Sequence, residues 1–183
     1  VITGPDAGHL VFVPLGGSSL DLWVSRLKGF NLPEFYLMDR DTTPPAEPHY
    51  KALADAINQR ANCRAWHTTK RELENYLHKS VIVAQYPDYA GTDDDFEDVP
   101  MLFAEAVHRA GGSQDKWEDV LKDREKRQKK ESNAKKRLCS EFAAKMTPDL
   151  LTAVDPDGEV RGWLREVGAA LNADGAPRQE EPA

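Results

Sequence analysis

The sequence predicts an α/β fold in which a parallel sheet flanked by helices is followed by a helical C-terminal subdomain. Three observations predict it. Short apolar runs bounded by turn residues occur at Leu10-Val11-Phe12-Val13-Pro14, at Glu34-Phe35-Tyr36-Leu37-Met38 and over residues 62–67, as buried strands require. Between them apolar residues recur at helical spacing, first Leu20, Trp23, Val24 and Leu27, then Tyr50, Leu53, Ala54 and Ile57. Strand alternating with helix implies parallel strands joined by right-handed crossovers. Beyond residue 90 the strand signal stops and helical patterns take over. The expected division is therefore a core over 1–90, a helical subdomain over 91–172 and a disordered tail over 173–183.

The second apolar run matters most. It leads into Asp39-Arg40-Asp41 and then Thr42-Thr43-Pro44-Pro45, where proline ends any central strand. On extended chain, residues i and i+2 point to the same side, so Asp39 and Asp41 are expected together at the strand's C-terminal edge. Open α/β sheets bind ligands at that edge. Two convergent carboxylates repel unless a cation lies between them, and hard oxygen donors suit Mg²⁺ or Mn²⁺. The same pair can also serve only to cap a turn.

The other elements follow in order. Leu15-Gly16-Gly17-Ser18-Ser19 joins the first run to the first helix, with Ser18 or Ser19 as its cap. Gly16, Gly17 and Ser18 are candidates to meet a phosphate, because glycine lets backbone approach a ligand and helix N-termini attract anions; a tight turn is the plainer account. After the third run, Thr68 to Leu77 is expected at the same edge as Asp39, so Glu72 and Glu74 can supply a third carboxylate. Val81-Ile82-Val83 reads as helix or strand. Residues 93–98 are an acid run, expected to be a mobile, solvated loop. Met101, Leu102, Ala104 and Val107 mark a helix ending near Gly111-Gly112. A long polar helix is expected from Asp115, with Leu138, Phe142 and Met146 as its buried stripe. Residues 122–137 hold nine basic residues against three acids, either a solvated face or a phosphate-contacting arm. Thr147 and Pro148 fit the N-cap and first position of a further helix. Residues 155–158 read as a turn, and Trp163, Leu164, Val167 and Leu171 mark the closing helix.

Composition narrows the classes. The chain has 183 residues, 40% hydrophobic and 30% charged, with a net charge of −7. No apolar run is long enough for a bilayer helix, no secretory signal is evident, and Cys63 and Cys139 lack the pattern of a disulfide framework. A cytoplasmic protein with reduced thiols is expected. The five histidines form no His-x-x-x-His pair, which argues against zinc. The acidic balance argues against simple electrostatic DNA binding, although a local basic face can still hold phosphate.

Three stretches together, Val11-Phe12-Val13-Pro14-Leu15-Gly16-Gly17, Phe35-Tyr36-Leu37-Met38-Asp39-Arg40-Asp41 and Arg71-Glu72-Leu73-Glu74-Asn75-Tyr76-Leu77, resemble the Toprim domain of the overcoming-lysogenization-defect (OLD) family of ATP-dependent nucleases, implicated in phage defence. Ala134-Lys135-Lys136-Arg137-Leu138 is similar to that family's helical part. The resemblance implies a Toprim-like sheet and divalent-metal-dependent DNA endonuclease activity, nicking or cleaving phosphodiesters with Mg²⁺ or Mn²⁺, two ions in the complete site. It implies Asp39, Asp41 and Glu74 as metal ligands and a catalytic lysine at Lys136 or Lys135. Lys129, Lys130 and Lys135 are the DNA-contacting candidates of the basic helix. It also implies an ABC-type ATPase domain on the same polypeptide and a possible homodimer, with no membrane partner. The family's opening strand ends in a glutamate, which Thr3-Gly4-Pro5 does not supply, so a fragment of a larger protein, or one lacking that element, is expected. A non-catalytic Toprim-fold DNA-binding or oligomerisation module is one alternative. A primase-like or other Asp-x-Asp phosphoryl-transfer enzyme is another, in which Asp39 of an aspartyl-phosphate phosphatase would carry a covalent intermediate.

Overall fold

The computed structural model describes residues 10–13, 20–27 and 32–174. In chain order the elements are α1 (Leu20–Leu27), β1 (Glu34–Met38), α2 (Lys51–Asn58), β2 (Cys63–His67), a 3-10 helix (Leu73–Tyr76), α3 (Lys79–Val83), α4 (Val99–Ala110), α5 (Trp117–Lys122), α6 (Arg124–Arg137), a π turn (Leu138–Phe142), a second 3-10 helix (Ala143–Lys145), α7 (Pro148–Val154) and α8 (Glu159–Asp174). β1 and β2 form a small two-stranded parallel sheet. The Glu34 N–H donates to the Asn62 carbonyl at one end, and the Thr68 N–H donates to the Met38 carbonyl at the other. The molecule is thus mixed α/β, with helices far outweighing the sheet.

Some expected elements differ. Leu10–Val13 is not a strand, and Val11 and Phe12 are 80% and 76% exposed. An apolar run becomes a strand only beside a partner that takes its N–H and C=O groups, and among the described residues the ladder holds β1 and β2 alone. Gly16, Gly17 and Ser18 lie outside the described residues. Val81–Val83 is helical, within α3. The helix expected from Asp115 is broken at Asp123, whose backbone is extended and whose carboxylate accepts the N–H groups of Glu125 and Lys126. Aspartate in that role starts a new helix more strongly than it continues an old one. In α8, Trp163 is buried as expected but Leu164 is 59% exposed. The helix runs through Asp174, and residues 175–183 of the expected tail lie outside the description. No helix among the described residues is long and apolar enough to cross a membrane.

The chain divides into two compact units. One comprises 1–36, 52–66 and 158–183; the other comprises 37–51 and 67–157. In the first, Glu34 accepts hydrogen bonds from the Tyr36 hydroxyl and from Arg60 (2.7 Å), so a buried charge is paired as burial demands. The Phe35 and Trp66 rings stack at 5.7 Å.

The second unit holds the larger core. Phe103, Leu138 and Phe142 are fully buried, with Val81, Ile82, Tyr89, Val99, Ala104, Ala106 and Ala134 around them. The Phe103 and Phe142 rings meet edge-on at 5.1 Å, and burying a phenylalanine side chain is worth about 2–3 kcal/mol. Leu138 and Phe142 belong to the stripe read from the sequence, and Met146 packs against it from the side. Arg137 ties the end of α6 to this core: its guanidinium lies over the Phe103 and Tyr86 rings and donates to the Tyr86 hydroxyl at 2.9 Å. α7 begins as its sequence dictates, with the Thr147 side chain accepting the Leu150 N–H and Pro148 in the first turn.

Candidate metal centre

Three segments of the second unit converge. β1 ends at Met38, and Asp39 follows at once. Thr68, 1% exposed, holds the neighbouring segment in place. Its N–H reaches the Met38 carbonyl, its hydroxyl oxygen accepts the Arg40 N–H at 2.9 Å, and its hydroxyl donates to the Lys70 carbonyl at 2.8 Å. One small β-branched side chain thereby registers 39–41 against 68–71. The Asp41 N–H donates to the Arg71 carbonyl, and the Leu73 N–H donates to Asp39 Oδ1 at 2.9 Å.

The acid run does not behave as a mobile loop. Arg71 donates its N–H to the Asp95 carbonyl. Lys70 pairs with Asp95 at 2.5 Å, Arg71 with Asp98 at 3.2 Å and Lys79 with Asp93 at 3.8 Å. The Asn75 amide donates to the carbonyls of Asp94 and Glu97, while its Oδ1 accepts the Glu72 N–H. Acids placed opposite lysine, arginine and a buried asparagine make a strap, and the strap ties down the segment that carries Glu72 and Glu74.

The outcome is a cluster of Asp39, Glu72 and Glu74, each offering a carboxylate oxygen within 4.8 Å of the others; Glu72 and Glu74 are buried and Asp39 half-buried. Such an all-oxygen donor set can hold a divalent ion. Asp41 is not among the three. It lies beyond the strand end, exposed, with φ of 60°, a left-handed conformation that aspartate tolerates. The same-side rule for i and i+2 applies to extended chain and has lapsed there. Its charge still reaches Asp39. Glu74 sits as expected, and Glu72, weighed beside it in the sequence, is a full member.

Lys135 supplies the cation. Its Nζ is 2.7 Å from Glu72 Oε2, and Arg71 Nε is 3.3 Å from Glu72 Oε1. Lys136 is exposed, so Lys135 is the lysine at the cluster. Lys130 is instead directed to His108, 3.5 Å from Nδ1, and Lys126 pairs with Asp115 at 3.0 Å. Lys129 is exposed and, like Arg124, Arg127 and Lys136, has no acidic partner among the described residues. Sequence reading missed Cys139, whose Sγ donates to Glu74 Oε1 at 3.7 Å. The signal was present: Cys139 is four residues after Lys135 and so shares its helical side.

Burial dominates the electrostatics of the cluster. Burial holds the Asp39 carboxyl above its usual range, with Asp41 adding to the effect and the Leu73 N–H and Lys135 opposing it. Burial also raises Glu72 and Glu74, against the pull of Lys135. Burial alone would lower the Lys135 pKa, but Glu72, Glu74 and Asp39 outweigh it and raise it. Burial and Glu74 push the Cys139 thiol up to about 11. The sign for stability follows. A carboxyl raised in the folded state contributes stability at acid pH that is lost as pH rises through the raised value. The metal-free protein is therefore expected to lose thermal stability as pH climbs just above the ordinary carboxylate range, and Mn²⁺ is expected to restore it there but not at lower pH. Melting temperature against pH, with and without Mn²⁺, checks this; coincident curves at every pH would refute it.

No protein-family model, curated protein or solved structure matches the chain. The functional reading therefore rests on the three carboxylates, their lysine and the basic helix that carries it.

Proposed function

We propose that this chain is the nuclease module of a Toprim-like, OLD-type protein, a divalent-metal-dependent endonuclease acting on DNA phosphodiesters. The observation that carries the reading is the convergence of Asp39, Glu72 and Glu74 within 4.8 Å beside Lys135, on chain segments that resemble the family's motifs. Octahedral bonds of about 2.1 Å place neighbouring oxygens about 3 Å apart and opposite ones about 4.2 Å apart, so the cluster fits an ion with a small closure. Asp39, Glu72 and Glu74 would hold it, with Asp41 adding negative charge nearby. When bound, such an ion activates water and stabilises the leaving oxygen. In this reading Lys135, a third of its side chain exposed, would meet a phosphate of the DNA. The strap over 93–98 keeps Glu72 and Glu74 fixed, and an ATPase domain on the same polypeptide and a homodimer remain part of the proposal.

The test is incubation of supercoiled plasmid with the protein in Mg²⁺, Mn²⁺ or EDTA. Nicking in Mn²⁺ that EDTA abolishes supports the reading, and intact plasmid in every ion refutes it for this chain. Lys129 and Lys136 are the arm proposed to meet the DNA backbone. Each phosphate contact contributes about 0.9 to the slope of log affinity against log salt. Lys129→Glu with Lys136→Glu is therefore expected to flatten that slope by about 2, as measured by fluorescence anisotropy, and an unchanged slope would return the helix to a solvated face.

A second reading has its own observation. Lys135 and Arg71 already pair with Glu72, as a metal-free, non-catalytic DNA-binding module would require. DNA binding without cleavage or metal uptake would select it.

A further inference from the structure

Glu72 is 4% exposed, and its Oε2 is closed off from solvent. Apart from Lys135, no donor among the described residues reaches that oxygen; the Lys135 ammonium lies 2.7 Å from it. The other oxygen, Oε1, has Arg71 Nε at 3.3 Å. The two cations are held differently. Arg71 is tied into the strap, through Asp98 at 3.2 Å and through its N–H to the Asp95 carbonyl. Lys135 has Glu72 as its one ion pair among the described residues, with a third of its side chain exposed. Its flexible stem carries a compact charge that can change partners. Lys135 is therefore the cation that can leave Glu72.

We propose that Lys135 is a gate that exchanges Glu72 for a DNA phosphate, so that the protein takes up its divalent ion and DNA cooperatively. This rests on the metal and DNA readings proposed above and adds to them how the site is regulated. A bare carboxylate oxygen in a buried place is costly. A phosphate that draws Lys135 away strands Glu72, unless an ion takes the lysine's place. An ion that takes Glu72 must first turn Lys135 out, which is easier when a phosphate receives it. Each ligand thus removes the other's cost. Lys135 immediately precedes Lys136 on α6, the helix proposed to meet the DNA backbone, so a phosphate arriving there comes to the gate. Linkage makes the coupling reciprocal, and such couplings typically run about 5–150-fold.

Mn²⁺ titration of the full chain, with free Mn²⁺ read by electron paramagnetic resonance, tests this with and without a short DNA duplex. A duplex-only blank removes Mn²⁺ held by the DNA itself. Wild type is expected to bind Mn²⁺ about tenfold or more tightly when the duplex is present. Lys135→Met is expected to bind Mn²⁺ more tightly than wild type without DNA, and to show the same affinity with it. Lys135→Arg keeps a cation that can change partners and is expected to keep part of the coupling. Equal wild-type affinities in the two conditions, or a coupling that survives Lys135→Met, overturn the gate and leave the carboxylate centre standing. Anisotropy of the same duplex tells a failed gate from a duplex that does not bind. No Mn²⁺ uptake by wild type in either condition overturns both the gate and the centre. Circular dichroism guards against an unfolded Lys135→Met, and Lys135→Gln with the same titrations gives the answer if methionine disturbs the site.

Discussion

Asp39→Asn is expected to abolish Mn²⁺-dependent plasmid nicking, by at least about a thousandfold, while leaving the far-ultraviolet spectrum unchanged. The substitution keeps the shape, and its amide oxygen can still accept the Leu73 N–H that Asp39 Oδ1 accepts now. It removes one of three converging charges. A charge-stabilising group at a reacting centre typically accounts for about 10²–10³ in rate, and the loss of an ion removes more than one such effect. The metal-free variant should be as stable as wild type or more so, because Asp39 is held above its ordinary range by burial and the uncharged amide avoids that desolvation. Activity and stability thus move in opposite directions. A variant that nicks at the wild-type rate, or one that simply melts, would remove Asp39 from the centre.

Lys135→Met carries the second large effect, with a sign of its own. Lys135 Nζ lies 2.7 Å from Glu72 Oε2, and its charge also acts on Glu74 and Asp39. Removing one member of a buried pair costs about 3–5 kcal/mol. Since a third of the lysine side chain is exposed, about 1–3 kcal/mol is the expected loss at neutral pH without metal. The raised lysine pKa means that this contribution holds across the neutral range and fades only in strong alkali. The same lysine competes with an incoming ion for Glu72. The variant should therefore bind Mn²⁺ more tightly than wild type in calorimetry while cutting DNA at least about a hundredfold more slowly. Weaker Mn²⁺ binding would mean that the lysine organises the acids rather than competing for them.

What the sequence made legible follows from where its signals are local. β1 and its exit into Asp39, the α7 cap at Thr147 and Pro148, and the burial of Leu138 and Phe142 each depend on a few adjacent residues. The losses came where geometry depended on a partner or a phase. Leu10–Val13 had the composition of a strand but no ladder to join. Asp41 obeyed the alternation rule only if the strand continued, and it did not. The choice between Lys135 and Lys136 was decidable in principle. Ala134 and Leu138 mark the buried line of the helix. At 100° per residue Lys135 flanks that line, whereas Lys136 points away from it. Neighbouring charges obscured the phase. The acid run misled because composition registers charge and not the lysines and arginines that meet it.

The contacts that close the cluster are far apart along the chain: the Leu73 N–H meets Asp39 across 34 positions, and Cys139 meets Glu74 across 65. Contacts of such separation carry a loop-closure cost and form late in folding. Glu72 and Glu74 are close neighbours on the chain, but an ion held also by Asp39 would find its complete site only in the finished fold. Such an ion would slow unfolding while leaving the refolding rate unchanged. In a chevron plot, added Mn²⁺ would lower the unfolding arm alone, which makes the ion a latch on a completed chain and not a template for its assembly.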